Sequence, residues 1–460
     1  MSAFKMIDQL ASMGVVGIAH HVRSGRMTAQ SVAVAALDAV ARVNPHINAA
    51  TRELRERAIA EAVAVDAKVA AGEDPGPLAG VPYGVKDLFD LRGLPTTAGS
   101  DRLRSAPSAV SDAIAVSLLR KAGAVLVATL NMDEFAYGFV TDNATWGVTR
   151  NPHALDHFAG GSSGGSAAIV AAGALAFSLG SDTNGSIRIP ASLCGIFGTK
   201  PTHGSLPMEG VYPFVHSLDD IGIFAKDATD LKAVDAVLRG DAAEVPFSGR
   251  SAILGGWFQR NLAKEMAEQL KCLQVELDAP TVTLPDVQRA RSAAFLITAY
   301  EGGQLHRPTL ATDAMGYDRN TRDRLIAGAA LSEDVYREAL GFRDEFSIHV
   351  EKLFNEFDVL IAPSTYGPAP LIDDPFVSID GRMQSARANL GLYTQPISFL
   401  GLPVVAAPLP VADLPCGVQL IGRKGSDRAL LSYAEALSER GLVASRLPCP
   451  PSAWPAATSS

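Results

Sequence analysis

The first 70 residues repeat apolar positions at the three- and four-residue spacing of an amphipathic helix. This spacing runs through SVAVAALDAVARVN and ATRELRERAIAEAVAVDAKVAAG, which are also rich in Ala, Leu, Glu and Arg. Both features predict helices. The next segment, PGPLAGVPYGVKD, breaks the pattern with proline and glycine, so we expect the helical part to end there.

A different pattern covers residues 75 to 224. Short apolar runs such as VLVATL and IGIF alternate with glycine-rich turns and with helical stretches such as DAIAVSLLRKAG. Strand-like and helix-like segments in alternation predict an α/β core. Residues 227 to 347 return to a helical pattern, with one strand near SAILGG, and further strands follow in FDVLIAPST, VVAAPLP and CGVQLIG before a final helix from Ser426 to Arg440.

No internal repeat or long linker divides the chain, so the sequence predicts a single domain over residues 1–460. Its predicted parts are a helical N-terminal part (1–74), a core (75–225), a mostly helical insertion (226–350), a C-terminal part of the core (351–445) and a loose tail (446–460). The longest apolar run, Ala167 to Leu179, is shorter than the ~20 residues of a membrane span and predicts one buried helix.

Composition excludes several classes of protein. With 47% hydrophobic and 19% charged residues the chain is typical of a globular protein, and its net charge of −9 does not favour nucleic acid or an anionic membrane as a partner. The four cysteines have neither disulfide nor zinc spacing, which indicates reduced thiols. Without a recognisable signal peptide, the sequence predicts a cytoplasmic protein.

The segment from Gly160 to Pro190 carries the main candidate chemistry. Two runs of small residues, around Ser162 and Ser186, flank the apolar stretch, and small residues let a backbone bend and approach a ligand closely. A flexible linker and a phosphate-binding glycine loop are alternatives, although a linker is rarely embedded between hydrophobic segments and no GK[ST] ending is present.

A serine nucleophile needs a base, and no G-x-S-x-G motif with an obvious histidine partner is present. Lys86, in LAGVPYGVKDLFDL, is the other candidate, because burial would lower its pKa. An ion pair between Lys86 and Asp87, or a solvated loop lysine, explains the same residues equally well.

The segments GVKDLFD, NMDEFAYG, AGGSSGGSAA, GSDTNGSIRIPASLCGIFGTKPT and TQPISFLGLPVVAAP together resemble the amidase signature family, over about residues 15 to 445. This resemblance implies an α/β fold in which a mixed, twisted β-sheet is sandwiched by helices. It implies an amidase that needs neither metal nor cofactor. It also implies a Ser-Ser-Lys unit with Lys86 as base, Ser162 as bridging serine after a cis peptide bond, and Ser186 as nucleophile.

The resemblance assigns supporting roles as well. It implies an oxyanion hole made by the backbone N–H groups of Thr183, Asn184, Gly185 and Ser186. Asp182 and Ser163 are expected to support this structure. Asn184 stands where glycine is usual in the family, and Ala159 where proline often precedes the glycine pair. Asn tolerates left-handed backbone geometry, so the turn is expected to survive.

These two departures, with DEFAYGF, YPFVHS and LGGWF, resemble the branch of the family that hydrolyses 1-carboxybiuret, a small carboxylated ureide of s-triazine breakdown, and releases ammonia. That branch works with a small accessory subunit similar to the small subunit of tRNA-dependent amidotransferases. The resemblance therefore implies such a partner here, in a homodimer or heterotetramer, with no nucleic acid and no membrane.

A carboxylated substrate calls for a basic anchor. Arg324 matches the position at which related glutamine-using enzymes hold a substrate carboxylate, although a surface helix arginine explains it equally well. Tyr137, His216 and Arg188 are further candidates for substrate contact, with packing or structural roles as the alternatives. The rival functions are a glutaminase subunit of a tRNA-dependent amidotransferase, a generalist amidase for neutral amides, and an inactive scaffold.

Overall fold

The computed structural model describes residues 3–243, 245–247 and 249–455. The described strands are β1 (Ala50–Glu53), β2 (Pro82–Lys86), β3 (Val125–Leu130), β4 (Asp142–Asn143), β5 (Gly147–Val148), β6 (Arg150–Asn151), β7 (Ala154–Phe158), β8 (Phe177–Asp182), β9 (Phe197–Lys200), β10 (Asp220–Ala225), β11 (Ser251–Leu254), β12 (Thr281–Val282), β13 (Val359–Pro363), β14 (Phe376–Ile379), β15 (Arg382–Ser385), β16 (Val404–Pro408) and β17 (Gly417–Gly422).

Helices occur along the whole described chain. They are α1 (Ala3–Arg23), α2 (Ala29–Ile47), α3 (Arg55–Ala70), α4 (Ile114–Lys121), α5 (Gly164–Ala171), α6 (Arg188–Cys194), α7 (Ala228–Arg239), α8 (Lys264–Glu276), α9 (Val287–Asp313), α10 (Arg319–Ala329), α11 (Glu333–Phe354), α12 (Ala386–Asn389), α13 (Gln395–Ser398) and α14 (Asp427–Glu439). Within the described ranges, no helix has the length and apolar character needed to cross a membrane.

One large sheet organises the molecule. Its strand order is β1-β3-β2-β8-β10-β9-β16-β17-β13-β11-β12. The β3-β2-β8 and β13-β11-β12 groups are parallel, whereas the strands between them pair antiparallel. Helices such as α5, α7 and α14 pack against it. The predicted α/β fold with a mixed sheet and covering helices is therefore confirmed.

Two of the predicted parts contribute strands that the sequence pattern did not show. β1 lies within residues 1–74 and pairs antiparallel with β3 at one edge of the sheet. β12 lies within residues 226–350 and forms the other edge, next to β11, which is the strand predicted near SAILGG. Both edges consist of strands of two to four residues. Such strands are too short for a period-two pattern to stand out from their helical neighbours.

The predicted tail is docked rather than loose up to residue 455. A 3₁₀ turn at Pro451–Ala453 lies against the N-terminal helices, where Asp8 accepts hydrogen bonds from the N–H and hydroxyl of Ser452. Arg42 donates to the Trp454 carbonyl at 2.8 Å, and the indole is 6% exposed. One buried aromatic residue anchors a segment whose Pro, Ala and Ser content predicted a loose tail. Residues 456–460 lie outside the described residues.

The apolar run from Ala167 to Leu179 is not one helix. α5 ends at Ala171, and Gly173 has a left-handed φ of 72°. The Ala174 N–H then donates to the Ile169 carbonyl and closes the turn. The chain then enters β8 at Phe177. Glycine adopts this conformation without steric penalty, which ends the helix although hydrophobicity continues.

This change of direction positions the site. β2 and β8 are parallel neighbours, so Lys86 at the end of β2 and Asp182 at the end of β8 lie at the same edge of the sheet. Carboxyl ends of parallel strands are the usual place for a ligand crevice in α/β sheets.

Candidate active site

Lys86 is fully buried and faces two serine hydroxyls. Its Nζ donates to Ser162 Oγ at 2.7 Å and to Ser181 Oγ at 2.9 Å. Burial lowers the pKa of Lys86 to about 7, although three buried carboxylates at greater distance oppose the shift. At neutral pH a substantial fraction of this lysine is therefore an uncharged amine that can accept a proton.

The alternative ion pair between Lys86 and Asp87 is absent from the described chain, where Lys86 forms no salt bridge. Asp87 instead accepts a hydrogen bond from the Thr97 hydroxyl. Burial raises the pKa of Asp87 to about 6. The lysine and the aspartate thus point to different partners, although they are adjacent in sequence.

Ser162 lies in a tight loop just before α5. The Gly161–Ser162 peptide bond is cis, as the family resemblance implied. A Cβ on Gly161 would lie 2.4 Å from the Asp133 carboxylate, so only glycine fits there. Ser163 holds the loop to β8, because its hydroxyl donates to the Ser181 carbonyl at 3.1 Å and accepts from the Ser181 N–H at 3.3 Å.

Ser186 lies in the loop between β8 and α6. Its side chain is nearly buried, and within the described residues no protein group forms a hydrogen bond with its hydroxyl. Gly185, directly before it, has a φ of 127°, and a Cβ there would lie 2.2 Å from Thr394 Oγ1. The loop backbone thus fixes the position of Ser186, while its hydroxyl has no hydrogen-bond partner in the described chain and stays available to react.

Asp182 fixes this loop. Its carboxylate accepts the N–H groups of Gly185 at 2.7 Å and Ile187 at 3.1 Å, and it pairs with the Arg188 guanidinium at 2.9 and 3.0 Å. Burial disfavours its charge, but Arg188 outweighs burial and holds the pKa of Asp182 below its usual range. A charged carboxylate therefore organises the turn.

The loop presents three unengaged N–H groups rather than the expected four. Across the described chain, the backbone N–H groups of Thr183, Asn184 and Ser186 have no protein acceptor. The N–H of Gly185 is already donated to Asp182. Its inclusion among the oxyanion donors is corrected accordingly, because one N–H that binds a carboxylate at 2.7 Å is not free to bind a second anion.

Asn184, the residue that departs from the family pattern, is fixed by two contacts. Its side-chain amide donates to Thr298 Oγ1 on α9 at 2.6 Å, and its carbonyl accepts from the Thr394 hydroxyl at 2.7 Å. Its side-chain oxygen, Oδ1, is buried and has no partner among the described residues. The arrangement leaves one hydrogen-bond acceptor unused in the loop that carries Ser186.

Arg188 is not available to a substrate. Every N–H of its guanidinium is engaged, because it pairs with Asp182 and also donates to the Thr394 carbonyl, Gln419 Oε1 and Ser398 Oγ. The side chain is completely buried. The expectation of substrate contact is corrected in favour of the structural alternative.

Arg324 and Tyr137 lie together. The guanidinium carbon is 3.7 Å from the centroid of the Tyr137 ring, and Arg324 donates to the Tyr137 carbonyl at 3.2 Å. Burial lowers the pKa of Arg324, and no carboxylate in the described chain lies within 4 Å of it. The Tyr137 hydroxyl is buried without a partner among those residues. This pair offers an unneutralised cation and a spare hydroxyl.

His216 lies apart from these residues. Its side chain is 80% exposed, and its Nδ1 is 2.7 Å from the Glu301 carboxylate. That carboxylate also accepts from Ser217 and Tyr336. The imidazole serves a surface cluster, and no contact within the described ranges joins it to Ser186.

Sequence reasoning missed four residues near the site. Ser181 shares the Lys86 amine, Asp133 contacts Gly161, Arg387 pairs with Asp133 at 2.9 Å, and Arg291 donates to two neutral side chains. Asp133 lies in NMDEFAYG, so that motif held the signal. The two arginines lie on α9 and α12, far along the chain, where nothing in the local pattern relates them to the serines.

The model of the Amidase family matches residues 31–252 and 257–431 of the chain. Over 459 residues the chain is 42% identical to AtzE, the 1-carboxybiuret hydrolase subunit of Pseudomonas sp. (strain ADP), with 95% of this chain and 100% of that protein covered. It is 32% identical over 467 residues to a glutamyl-tRNA(Gln) amidotransferase subunit of Symbiobacterium thermophilum, with 90% and 93% covered.

Solved structures agree with these matches. The fold superimposes with a TM-score of 0.90 and 42% identity on a structure reported as a vestigial protein complex that reveals the evolutionary origins of an s-triazine catabolic enzyme, with 95% of this chain and 100% of that chain covered. The TM-score is 0.87, at 31% identity, for a crystal structure of an amidase, with 93% and 100% covered.

Proposed function

The chain belongs to the amidase family, and from this premise we propose that it hydrolyses a carbon–nitrogen bond of a small carboxylated ureide of the 1-carboxybiuret type and releases ammonia. The observation that carries the proposal is the buried contact of 2.7 Å between Lys86 Nζ and Ser162 Oγ, in which burial lowers the lysine pKa to about 7. A serine nucleophile needs a base to remove its proton. The neutral amine of Lys86, next to the Ser162 hydroxyl, can act as that base.

In the acylation step, Ser186 Oγ attacks the carbonyl carbon of the substrate and forms the new C–O bond. The proton of Ser186 moves to Ser162, whose own proton moves to Lys86 Nζ. When the tetrahedral intermediate collapses, the C–N bond breaks and the leaving nitrogen takes a proton back through Ser162. Ammonia departs, and the acyl group remains on Ser186. Water then attacks the acyl group through the same relay and restores all three residues.

The N–H groups of Thr183, Asn184 and Ser186 are proposed to bind the oxygen that becomes negative in the intermediate. They have no protein acceptor among the described residues, which supports this role. Backbone donors held in place before the reaction need no reorganisation when charge develops, and one such donor is typically worth ~2.7–4 kcal/mol in the transition state.

Preference for a carboxylated ureide is supported by two further features. Arg324 has no carboxylate partner within the described chain, so an anionic substrate group would neutralise it. A ureide also carries N–H groups that need acceptors, and Asn184 Oδ1 is a buried acceptor without a partner there. Tyr137 completes this proposed binding region through its stack with Arg324.

We also propose that a small accessory subunit binds the chain. The relative from Pseudomonas is itself described as a subunit, and a solved structure with the same fold is reported as a complex. The four cysteines are free thiols, which supports a reducing compartment such as the cytoplasm. Co-expression with a small subunit of the amidotransferase type, followed by size-exclusion chromatography, tests whether the two form one species.

Ammonia release by the purified chain, with and without that partner, tests the reaction. The substrates are 1-carboxybiuret generated in the assay from cyanuric acid, biuret, malonamate, glutamine and a neutral aryl amide. We expect fast turnover of 1-carboxybiuret that is lost in Ser186→Ala and kept in Ser292→Ala, an exposed serine on α9. Preferred hydrolysis of glutamine or of the neutral amide would overturn the substrate assignment, and full activity of Ser186→Ala would overturn the mechanism.

A further inference from the structure

Arg387 on α12 is a largely buried arginine whose hydrogen-bonding capacity is only partly used. Its Nη1 donates to the Asp142 carbonyl at 2.9 Å and lies 2.9 Å from Asp133 Oδ1. The side chain is 12% exposed. Nε and Nη2 are buried and have no hydrogen-bond partner among the described residues. One whole edge of a charged guanidinium is therefore unsatisfied.

This is unusual, because buried charged donors are nearly always paired. Arg188 shows that the same fold can satisfy a buried arginine completely, with two carboxylate contacts and three neutral acceptors. The open edge of Arg387 consists of Nε and Nη2, the two nitrogens that together match the two oxygens of a carboxylate side by side.

Arg387 is connected through Asp133 to the loop that carries Ser162. Its partner Asp133 accepts the Thr141 N–H at 3.0 Å, and the Asp133 N–H donates to the Ser162 carbonyl at 3.2 Å. The same carboxylate fills the space that a side chain on Gly161 would need. A single residue therefore separates Arg387 from the loop that carries Ser162.

The two arginines of this region, Arg324 and Arg387, differ in their ion pairing. Within 4 Å, Asp133 is the one carboxylate paired with Arg387, and Arg324 has none among the described residues. Burial lowers the pKa of the Arg324 guanidinium, and the nearby charge of Arg387 lowers it further. The Arg324 and Arg387 guanidinium groups thus lie close enough to repel each other, although the Asp133 and Asp142 carboxyls are nearby, and an incoming anion would relieve this repulsion.

We propose that Arg387 is a specificity-determining residue that binds the carboxylate of the substrate through its Nε–Nη2 edge, beside Arg324. This inference rests on the proposed function, because it requires an anionic amide as substrate. Arg387 acts in substrate selection rather than in bond cleavage, so its removal penalises anionic substrates and spares their neutral counterparts.

Binding to an inactive enzyme tests this without turnover. In the Ser186→Ala background, calorimetry compares malonamate, which carries one carboxylate, with malonamide, its neutral counterpart. Arg387→Lys keeps a positive charge for Asp133 but removes the paired donors. We expect the dissociation constant of malonamate to rise about 10- to 100-fold, as the loss of charge-assisted hydrogen bonds implies, and that of malonamide to stay within about twofold.

The matched control is Arg382→Lys, an exposed arginine on the neighbouring strand β15, which is expected to change neither constant. Equal weakening of both ligands would show that Arg387 only supports the fold, and unchanged malonamate binding would show that it does not touch the anion; either result overturns the inference. If the anion preference depends on Arg387 but 1-carboxybiuret is not hydrolysed, the substrate assignment fails while this inference stands.

Discussion

Asp182 and Arg188 meet edge to edge, with two N–H···O contacts of 2.9 and 3.0 Å, and neither side chain is exposed to water. The same carboxylate also binds the Gly185 N–H, directly before Ser186. One ion pair therefore determines both the local stability and the shape of the loop that carries the proposed nucleophile.

Replacement of Asp182 by Asn should destabilise the protein strongly. The change leaves the Arg188 charge buried without a counter-ion, which typically costs ~3–5 kcal/mol. Urea unfolding followed by circular dichroism measures this. Lys264→Ala, which breaks an exposed pair with Glu268 at 3.9 Å, is the control and should change stability by less than ~1 kcal/mol. Similar small effects of both variants would contradict the role given to Asp182.

The pH dependence of turnover should follow Lys86. Because only the neutral amine accepts a proton and its pKa is about 7, kcat/KM should fall as pH drops below about 7 and level off above it. Initial rates between about pH 5.5 and 9 measure the profile. A profile that is flat through pH 7 would contradict a lysine base.

The lowered pKa of Lys86 also predicts how the stability of the protein depends on pH. The pKa of Lys86 is about 7 in the folded protein against an ordinary 10.5, so between these values the unfolded chain binds the additional proton. The contribution of Lys86 to the free energy of unfolding should therefore rise as pH increases from about 7 to 10.5. Lys86→Met removes the group, and the free energy of unfolding of wild type relative to this variant should increase across that window. A constant difference would argue against the shifted pKa.

Gly185→Ala should damage both stability and activity. The backbone has a φ of 127°, and the added Cβ would lie 2.2 Å from Thr394 Oγ1. We expect a loss of more than ~1 kcal/mol in the free energy of unfolding, with a large fall in kcat. Gly341→Ala is the matched control, because that helical glycine has open space around it and should gain ~0.5–1 kcal/mol. Equal behaviour of the two variants would contradict the strain assigned to Gly185.

Trp454→Ala should lower the stability of the whole chain. Trp454 is 6% exposed, and its indole packs against the His46 ring of helix α2 with the ring centroids 5.5 Å apart. Truncation of a buried aromatic side chain of this kind costs ~3–5 kcal/mol. Thermal unfolding measures the loss. An unchanged melting temperature would show that the C-terminal segment is a loose tail, as its composition predicts.

Much of the fold could be predicted because long segments carry strong patterns. VLVATL, IGIF and CGVQLIG are strands β3, β10 and β17, and the final helix begins and ends within one residue of the expected Ser426 to Arg440. The failures have a common cause. The local sequence pattern predicts helix at β1, β12 and Gly173. Pairing at the edge of the sheet makes β1 and β12 strands instead, and the left-handed backbone of Gly173 ends a helix within an apolar run.

For the candidate site the limit was distance along the chain. Lys86, Ser162 and Ser186 stand in distinctive motifs and could be named from them. Arg387 and Thr298 could not, because their proximity to Asp133 and Asn184 arises only when helices α12 and α9 pack near the edge of the sheet. The engagement of Gly185 by Asp182 was equally hidden, since no sequence pattern reveals which N–H groups of a turn are already used.

The groups proposed to break the bond and those proposed to select the substrate occupy different parts of this molecule. Lys86 ends a central strand, and the two serines lie in loops next to it, whereas Arg324 and Arg387 stand on helices α10 and α12. Mutations in these helices can therefore alter which molecules are accepted while the reaction machinery stays intact. Such a division marks residues 319–329 and 386–389 as the segments to randomise when a different amide is the desired substrate.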